Sequence, residues 1–262
     1  MKHGTPIRTI KRHARVHDRF EFGLDLVLGN AENAAGGLGA TAPVIDELVR
    51  SGVHGMTLGN HTWRKKELAD ALRRYPNVAR PLNYPPGVPG EGSFVLDVGG
   101  VPVAVASVIG RVFMEAFACP FATAREELER LRERARVVIV DIHAEATSEK
   151  VALGWYLDGR CSAVLGTHTH VQTADERVLP GGTAYITDLG MTGPVDSVIG
   201  VERERAIGKF LTGMPSEFKV AKGPARLCGV VLDIDESTGS ARGIERIARL
   251  DDDFDLDIGG DD

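Results

Sequence analysis

The chain has 262 residues, 43% hydrophobic and 26% charged, with a net charge of −6. That suffices for one large core, and no apolar run approaches the roughly 20 residues that span a bilayer. Charge is uneven, +5 over residues 1–20, −7 over residues 251–262 and about −4 between, so no broad basic field is available to duplex nucleic acid.

The first twenty residues lack an apolar leader, and Cys119, Cys161 and Cys228 form neither a CxxC pair nor a disulfide framework, so a reducing cytoplasm is expected. The organisation read from composition is an atypical basic segment at 1–21, one domain at 22–250 and an acidic, disordered tail at 251–262.

In chain order, 24–28 is a short apolar strand ending at Gly29, and 41–51 has helical spacing opened by Thr and Pro and closed by Gly52. Residues 53–58 form a second strand, and 64–75 read as an amphipathic helix. Strands 94–98 and 101–109 flank Gly99-Gly100 as a hairpin. Helices at 122–134 and 145–157 alternate with strands at 137–141, 162–165 and 184–187, and strands 226–234 and 241–249 turn at Thr238-Gly239. Alternating strand–helix units followed by strands alone indicate a layered α/β fold with partly parallel, mixed sheets.

Four of these strands end in polar ligand types. Glu32 and Asn33 follow the first, Asn60 and His61 the second, His143 the strand at 137–141, and His168 and His170 the strand at 162–165. The carboxyl edge of such sheets is where ligands bind. Imidazole, carboxylate and amide oxygen without thiolate suit Mn, Fe, Zn, Co or Ni. Glu32 is the natural bridge between two cations, which would acidify a shared water. His61 is suited to protonating a leaving oxygen.

Other residues carry two readings. Arg80 and Asn83 are either phosphate contacts or parts of a turn fixed by Pro81 and Pro85. Glu145, Glu149 and Asp188 either orient the ligands or, for the two glutamates, face solvent. Trp63 and Trp155 read as packing residues, and Cys161 as a small apolar filler.

The strings NAENAAGG (30–37), TLGNHTW (57–63), RPLNYP (80–85), HAEATSEK (143–150), GTHTHVQTAD (166–175) and YITDLGMTGP (185–194) resemble the YmdB-like branch of the calcineurin-like metallophosphoesterase superfamily over about residues 22–250. The resemblance implies a sandwich of two mixed β-sheets flanked by helices. It implies a bacterial phosphodiesterase acting on 2′,3′- or 3′,5′-cyclic nucleotides through a metal-bridging hydroxide, with two divalent ions such as Fe or Mn. Glu32 would bridge them, Asn33 and His170 would serve the first, Asn60, His143 and His168 the second, and His61 would be the acid.

The family's opening strand ends in a Gly-Asp pair that supplies a first-metal ligand. No such pair precedes Glu32 here, so the first strand reads as missing or altered, one ion as weakly held and activity as reduced. A small-molecule phosphodiester or nucleotide is the expected partner, with no membrane, and a homo-oligomer is compatible. The alternatives are a phosphomonoesterase with the same metals, or an impaired regulator that binds a nucleotide or protein.

Overall fold

The computed structural model describes residues 23–250. The basic head, with the altered first strand read there, and the acidic tail lie outside the described residues.

Strand β1 (Leu28–Asn30) pairs in parallel with β2 (Gly55–Thr57), and β2 with β3 (Val78–Ala79). The first strand thus begins later than the expected 24–28. One step before it, the Val27 N–H donates to His54 Nδ1 (3.1 Å) rather than to a ladder carbonyl. Helix α1 (Ala42–Arg50) has Pro in its first turn and buries Ile45 and Leu48 one turn apart, as its spacing predicts.

The helix expected over 64–75 shrinks to α2 (Leu68–Ala71) and a 3₁₀ turn (Leu72–Arg74). Upstream, Arg64 N–H donates to His61 O (2.9 Å) and Leu68 N–H to Lys65 O (2.9 Å), both three-residue turns. His61 and Thr62 are tied to the ligand cluster described below, so this segment is shaped by the site rather than by helix propensity.

The second sheet has six strands in the order β4-β5-β6-β7-β9-β8: β4 (Ser93–Val98), β5 (Val101–Ile109), β6 (Val137–His143), β7 (Ala163–Thr167), β8 (Arg177–Val178) and β9 (Ala184–Ile186). The inner strands β5, β6, β7 and β9 run parallel, and the outer two antiparallel. Strand β6 is buried along its whole length, which explains why it reads as a continuous apolar run. Helices α3 (Pro120–Arg132) and α4 (Thr147–Leu157) pack on one face through Ala124, Leu128, Leu131, Leu153 and Leu157.

The third sheet is antiparallel: β10 (Gly193–Pro194), β11 (Ala225–Ile234) and β12 (Ala241–Leu250). Helix α5 (Arg203–Thr212) escapes the sequence reading because it buries only Ala206, so its apolar residues trace no core-facing stripe.

Both three-stranded sheets pack on the other face of the six-stranded one. Leu26, Leu28, Leu232, Ile234 and Ile244 meet Val103, Val137, Ile139 and Ala163 there. The expected sandwich is therefore present, its second layer in two pieces among the described residues. Trp63 packs against the core around α1. Trp155, in contrast, is half exposed, with the Arg177 guanidinium 5.4 Å from its ring.

Candidate metal centre

All seven strand-end residues come together. They rise from two stacked sheets rather than from the single sheet edge expected: Glu32, Asn33, Asn60 and His61 follow β1 and β2, while His143 ends β6 and His168 and His170 follow β7.

Hydrogen-bond accounting shows where the lone pairs point. The Thr167 hydroxyl donates to Asp141 Oδ1 (2.7 Å) and so accepts from His143 Nδ1 (3.0 Å). That leaves the His143 Nε2 lone pair facing Asn60 Oδ1 at 2.8 Å and His168 Nδ1 at 3.1 Å. His168 turns its other nitrogen to the Glu145 carboxylate (3.1 Å), so its Nδ1 is also an acceptor. Three acceptors thus converge with no hydrogen between them. The arrangement is repulsive by itself and suited to a shared cation.

A second group lies beside it. His170 Nδ1 lies 3.3 Å from the Ile199 carbonyl, which can only accept. The Asn33 amide satisfies its neighbours with its nitrogen toward Gly37 O (3.0 Å) and His61 Nδ1 (2.8 Å) and its oxygen 3.1 Å from His170 Nε2. His170 can give its one ring proton either to the Asn33 oxygen or to the Ile199 carbonyl, and with the proton on Nδ1 two acceptors face each other.

Glu32 sits between the groups, its Oε1 3.5 Å from His143 Nε2 and 3.3 Å from His61 Nδ1. Gly59 N–H and His61 N–H donate to its two oxygens, each at 2.5 Å. Residue 59 must be glycine, since a Cβ there would collide with the His143 ring.

Among the described residues, no three His, Cys, Asp or Glu side chains alone form a metal-ligand cluster. The donor set requires Asn33 and Asn60, and with them it fits divalent cations that take mixed N and O ligands.

Burial governs the electrostatics. It pushes the Glu32 carboxyl up to about 8, against the lowering effect of the two backbone N–H groups. Burial also holds His143 well below the ordinary imidazole value and lowers His168 and His61, the last aided by Arg64. The imidazoles are thus kept neutral, the state in which they ligate metals.

The supporting residues are partly ones the sequence reading passed over. Asp141 is buried and accepts from Thr57 Oγ1, Asn30 Nδ2 (3.0 Å) and Thr167 Oγ1. The available signal was its position two residues before His143, which puts both on one face of β6. Asp188 is buried and ion-paired with Lys150 (2.7 Å), and it accepts from the N–H (3.0 Å) and hydroxyl (2.7 Å) of Thr169. It thereby holds the residue between His168 and His170, both at positive φ (100° and 68°), a conformation that persists only when its surroundings dictate it.

Glu145 is half exposed yet reaches His168, whereas Glu149 is buried. Glu145 orients His168, and buried Glu149 accepts the Arg111 and Val112 N–H groups. Asn83 is structural, its amide bridging the backbones of Ile109 and Ala118, and the Arg80 guanidinium bonds the Pro81 and Pro89 carbonyls. Cys161 is a buried filler, its thiol pushed up to about 12 by burial.

Among the described residues no helix is long and apolar enough to cross a membrane. The chain is 51% identical over 223 residues to the Bacillus subtilis protein named 2′,3′-cyclic-nucleotide 2′-phosphodiesterase, covering 85% of this chain and 84% of that one. A crystal structure of a hypothetical protein from Thermus thermophilus superposes with a TM-score of 0.87 at 45% identity, over 93% of this chain and 94% of that one. The crystal structure of a novel phosphatase from Mycoplasma pneumoniae does so with a TM-score of 0.87 at 35% identity, over 94% and 89%. The family model described as YmdB-like protein matches residues 6–247, and with these likenesses it shows that the chain belongs to the YmdB-like family.

Proposed function

We propose that this chain is a metal-dependent phosphodiesterase that hydrolyses the cyclic phosphate of 2′,3′-cyclic nucleotides. The observation that carries the reading is the convergence of unprotonated acceptors, Asn60 Oδ1, His143 Nε2 and His168 Nδ1, with the His143 nitrogen 2.8 Å from the first and 3.1 Å from the last. Glu32 would bridge two cations, Asn33 and His170 would hold the first, and Asn60, His143 and His168 the second, with Fe or Mn as suitable ions. When bound, such cations supply positive charge against the phosphoryl oxygens and acidify water.

The chain's own groups do the rest. The Thr167–Asp141 pair holds His143 in one tautomer, and Glu145 does the same for His168. His61 receives a hydrogen bond from Asn33 on Nδ1, so its proton sits on Nε2, directed away from Asn33 and available to the leaving oxygen. The choice of the 2′,3′-cyclic form rests on the Bacillus subtilis relative's name. A phosphomonoesterase reading finds support in the Mycoplasma pneumoniae phosphatase.

Purified protein with added Mn is expected to hydrolyse bis-p-nitrophenyl phosphate and 2′,3′-cyclic AMP faster than p-nitrophenyl phosphate. Glu32→Gln should reduce turnover at least about 100-fold, as expected when a metal-bridging carboxylate is neutralised. Preference for the monoester would favour the phosphatase. Absence of any turnover with nucleotide binding retained would favour the regulator.

A further inference from the structure

The loop that leaves β5 carries an aromatic side chain that the hydrolytic chemistry does not use. Phe113 is 88% exposed and has φ of 62°. A bulky side chain gains nothing from burial there, and it occupies backbone space that L-residues rarely adopt. Such a conformation persists where neighbouring contacts impose it, and here they come from both sides.

On the incoming side, Gly110 N–H donates to the His143 carbonyl (2.9 Å). The buried Glu149 carboxylate accepts from Arg111 N (3.1 Å) and Val112 N (3.2 Å). On the outgoing side, Ala118 N–H donates to Asn83 O (3.2 Å), Asn83 Nδ2 to Ala118 O (2.9 Å), and Phe117 meets Tyr84 edge-on at 4.6 Å. Between them, Glu145 N–H donates to Met114 Sδ (3.3 Å), and the same residue's carboxylate is 3.1 Å from His168 Nε2. The loop is therefore pinned to His143 at the end of β6, to Glu149 on α4 and to Glu145, which contacts His168, and Phe113 is held out from it one residue from that last link.

We propose that Phe113 stacks on the base of the bound nucleotide, so that the chain selects nucleoside phosphodiesters over phosphodiesters lacking a base. This rests on the hydrolytic reading above for the position of the phosphate. An exposed, pre-positioned ring is the requirement for base stacking, which accepts any base because each offers a π-face.

The test compares wild type, Phe113→Ala and Phe113→Trp on 2′,3′-cyclic AMP and on ethylene phosphate, a five-membered cyclic phosphodiester without a base. Phe113→Ala should lower kcat/KM on the nucleotide about tenfold, mainly through KM, a loss typical of one stacked base. Ethylene phosphate turnover should be unchanged, and Phe113→Trp should retain nucleotide turnover. An equal loss on both substrates, or none on either, overturns the proposal. Calorimetric binding of 2′,3′-cyclic AMP decides it even if no turnover occurs, a result that would sink only the hydrolytic reading. Binding about tenfold tighter in wild type than in Phe113→Ala supports stacking, and equal affinity, or no binding by wild type, refutes it.

Discussion

Thr167 shows how one hydroxyl sets the chemistry of a neighbouring ring. By donating to Asp141 it can only accept from His143, so the imidazole proton goes to Nδ1 and the lone pair at Nε2 faces the centre. Thr167→Val is expected to weaken metal affinity about 10- to 100-fold, as losses of ligand-orienting partners do, measured by competition with a chelating dye. An affinity equal to wild type would show that packing alone orients the ring. Glu32 and the histidines also set a pH signature for metal-free protein. Histidines with lowered values cost stability below about 6.5, where the unfolded chain takes up protons that the fold refuses. Glu32 has the opposite sign: raised from 4.5 to about 8, it stabilises the fold while protonated, and that contribution is lost as pH rises through about 8. With EDTA, Tm should therefore fall between about pH 6.5 and 8, and saturating Mn should reverse the fall. A Tm that rises over that window would contradict this assignment.

At the scale of elements, the loop between β7 and β9 depends on one buried ion pair. Lys150 comes from α4 and Asp188 from the end of β9, and both are almost wholly buried. Asp188→Asn leaves the ammonium without its counter-charge, which costs about 3–5 kcal/mol when one partner of a buried pair is removed. Urea unfolding should show that loss, and metal binding should weaken with it because Thr169 loses its anchor between His168 and His170. A variant as stable as wild type would mean that the lysine finds another partner. The short α2 belongs to the same scale. A sequence pattern that favours a helix over 64–75 yields to Glu32, whose carboxylate takes the His61 N–H, and to Thr62, whose hydroxyl donates to Gly59 O (2.6 Å). Side-chain bonds of this kind compete with helical ones.

Across the whole molecule, the two groups of donors are not equivalent. Among the described residues, the outer edge of β1 and the length of β11 past Arg226 have no strand partner on that side. Both border an open cleft of about 2270 Å³, floored by Val103, Val137, Ile139 and Leu165. Asn33, His143, His168 and His170 all lie on its wall, whereas Asn60 does not. The Asn33–His170 group offers fewer protein donors than the Asn60–His143–His168 group, whose His143 is buried. Metal analysis of purified protein is expected to give nearer one ion than two per chain, and two tightly held ions would refute that ranking.

The donor types and their places at four strand ends are legible in the order of residues alone, because strands and their polar terminations are local patterns. So is the family, through strings such as HAEATSEK and GTHTHVQTAD. Not legible there is that the donors rise from two stacked sheets, that Asp141 reaches His143 through Thr167, or that Lys150 neutralises Asp188. Those arrangements rest on bonds between residues 19 to 111 positions apart, and only packing settles which distant side chains share a buried space. Nor does the sequence place Phe113 in water on a strained turn, since a phenylalanine in a loop ordinarily signals burial, and its exposure follows from anchors on β6, α4 and the segment around Asn83.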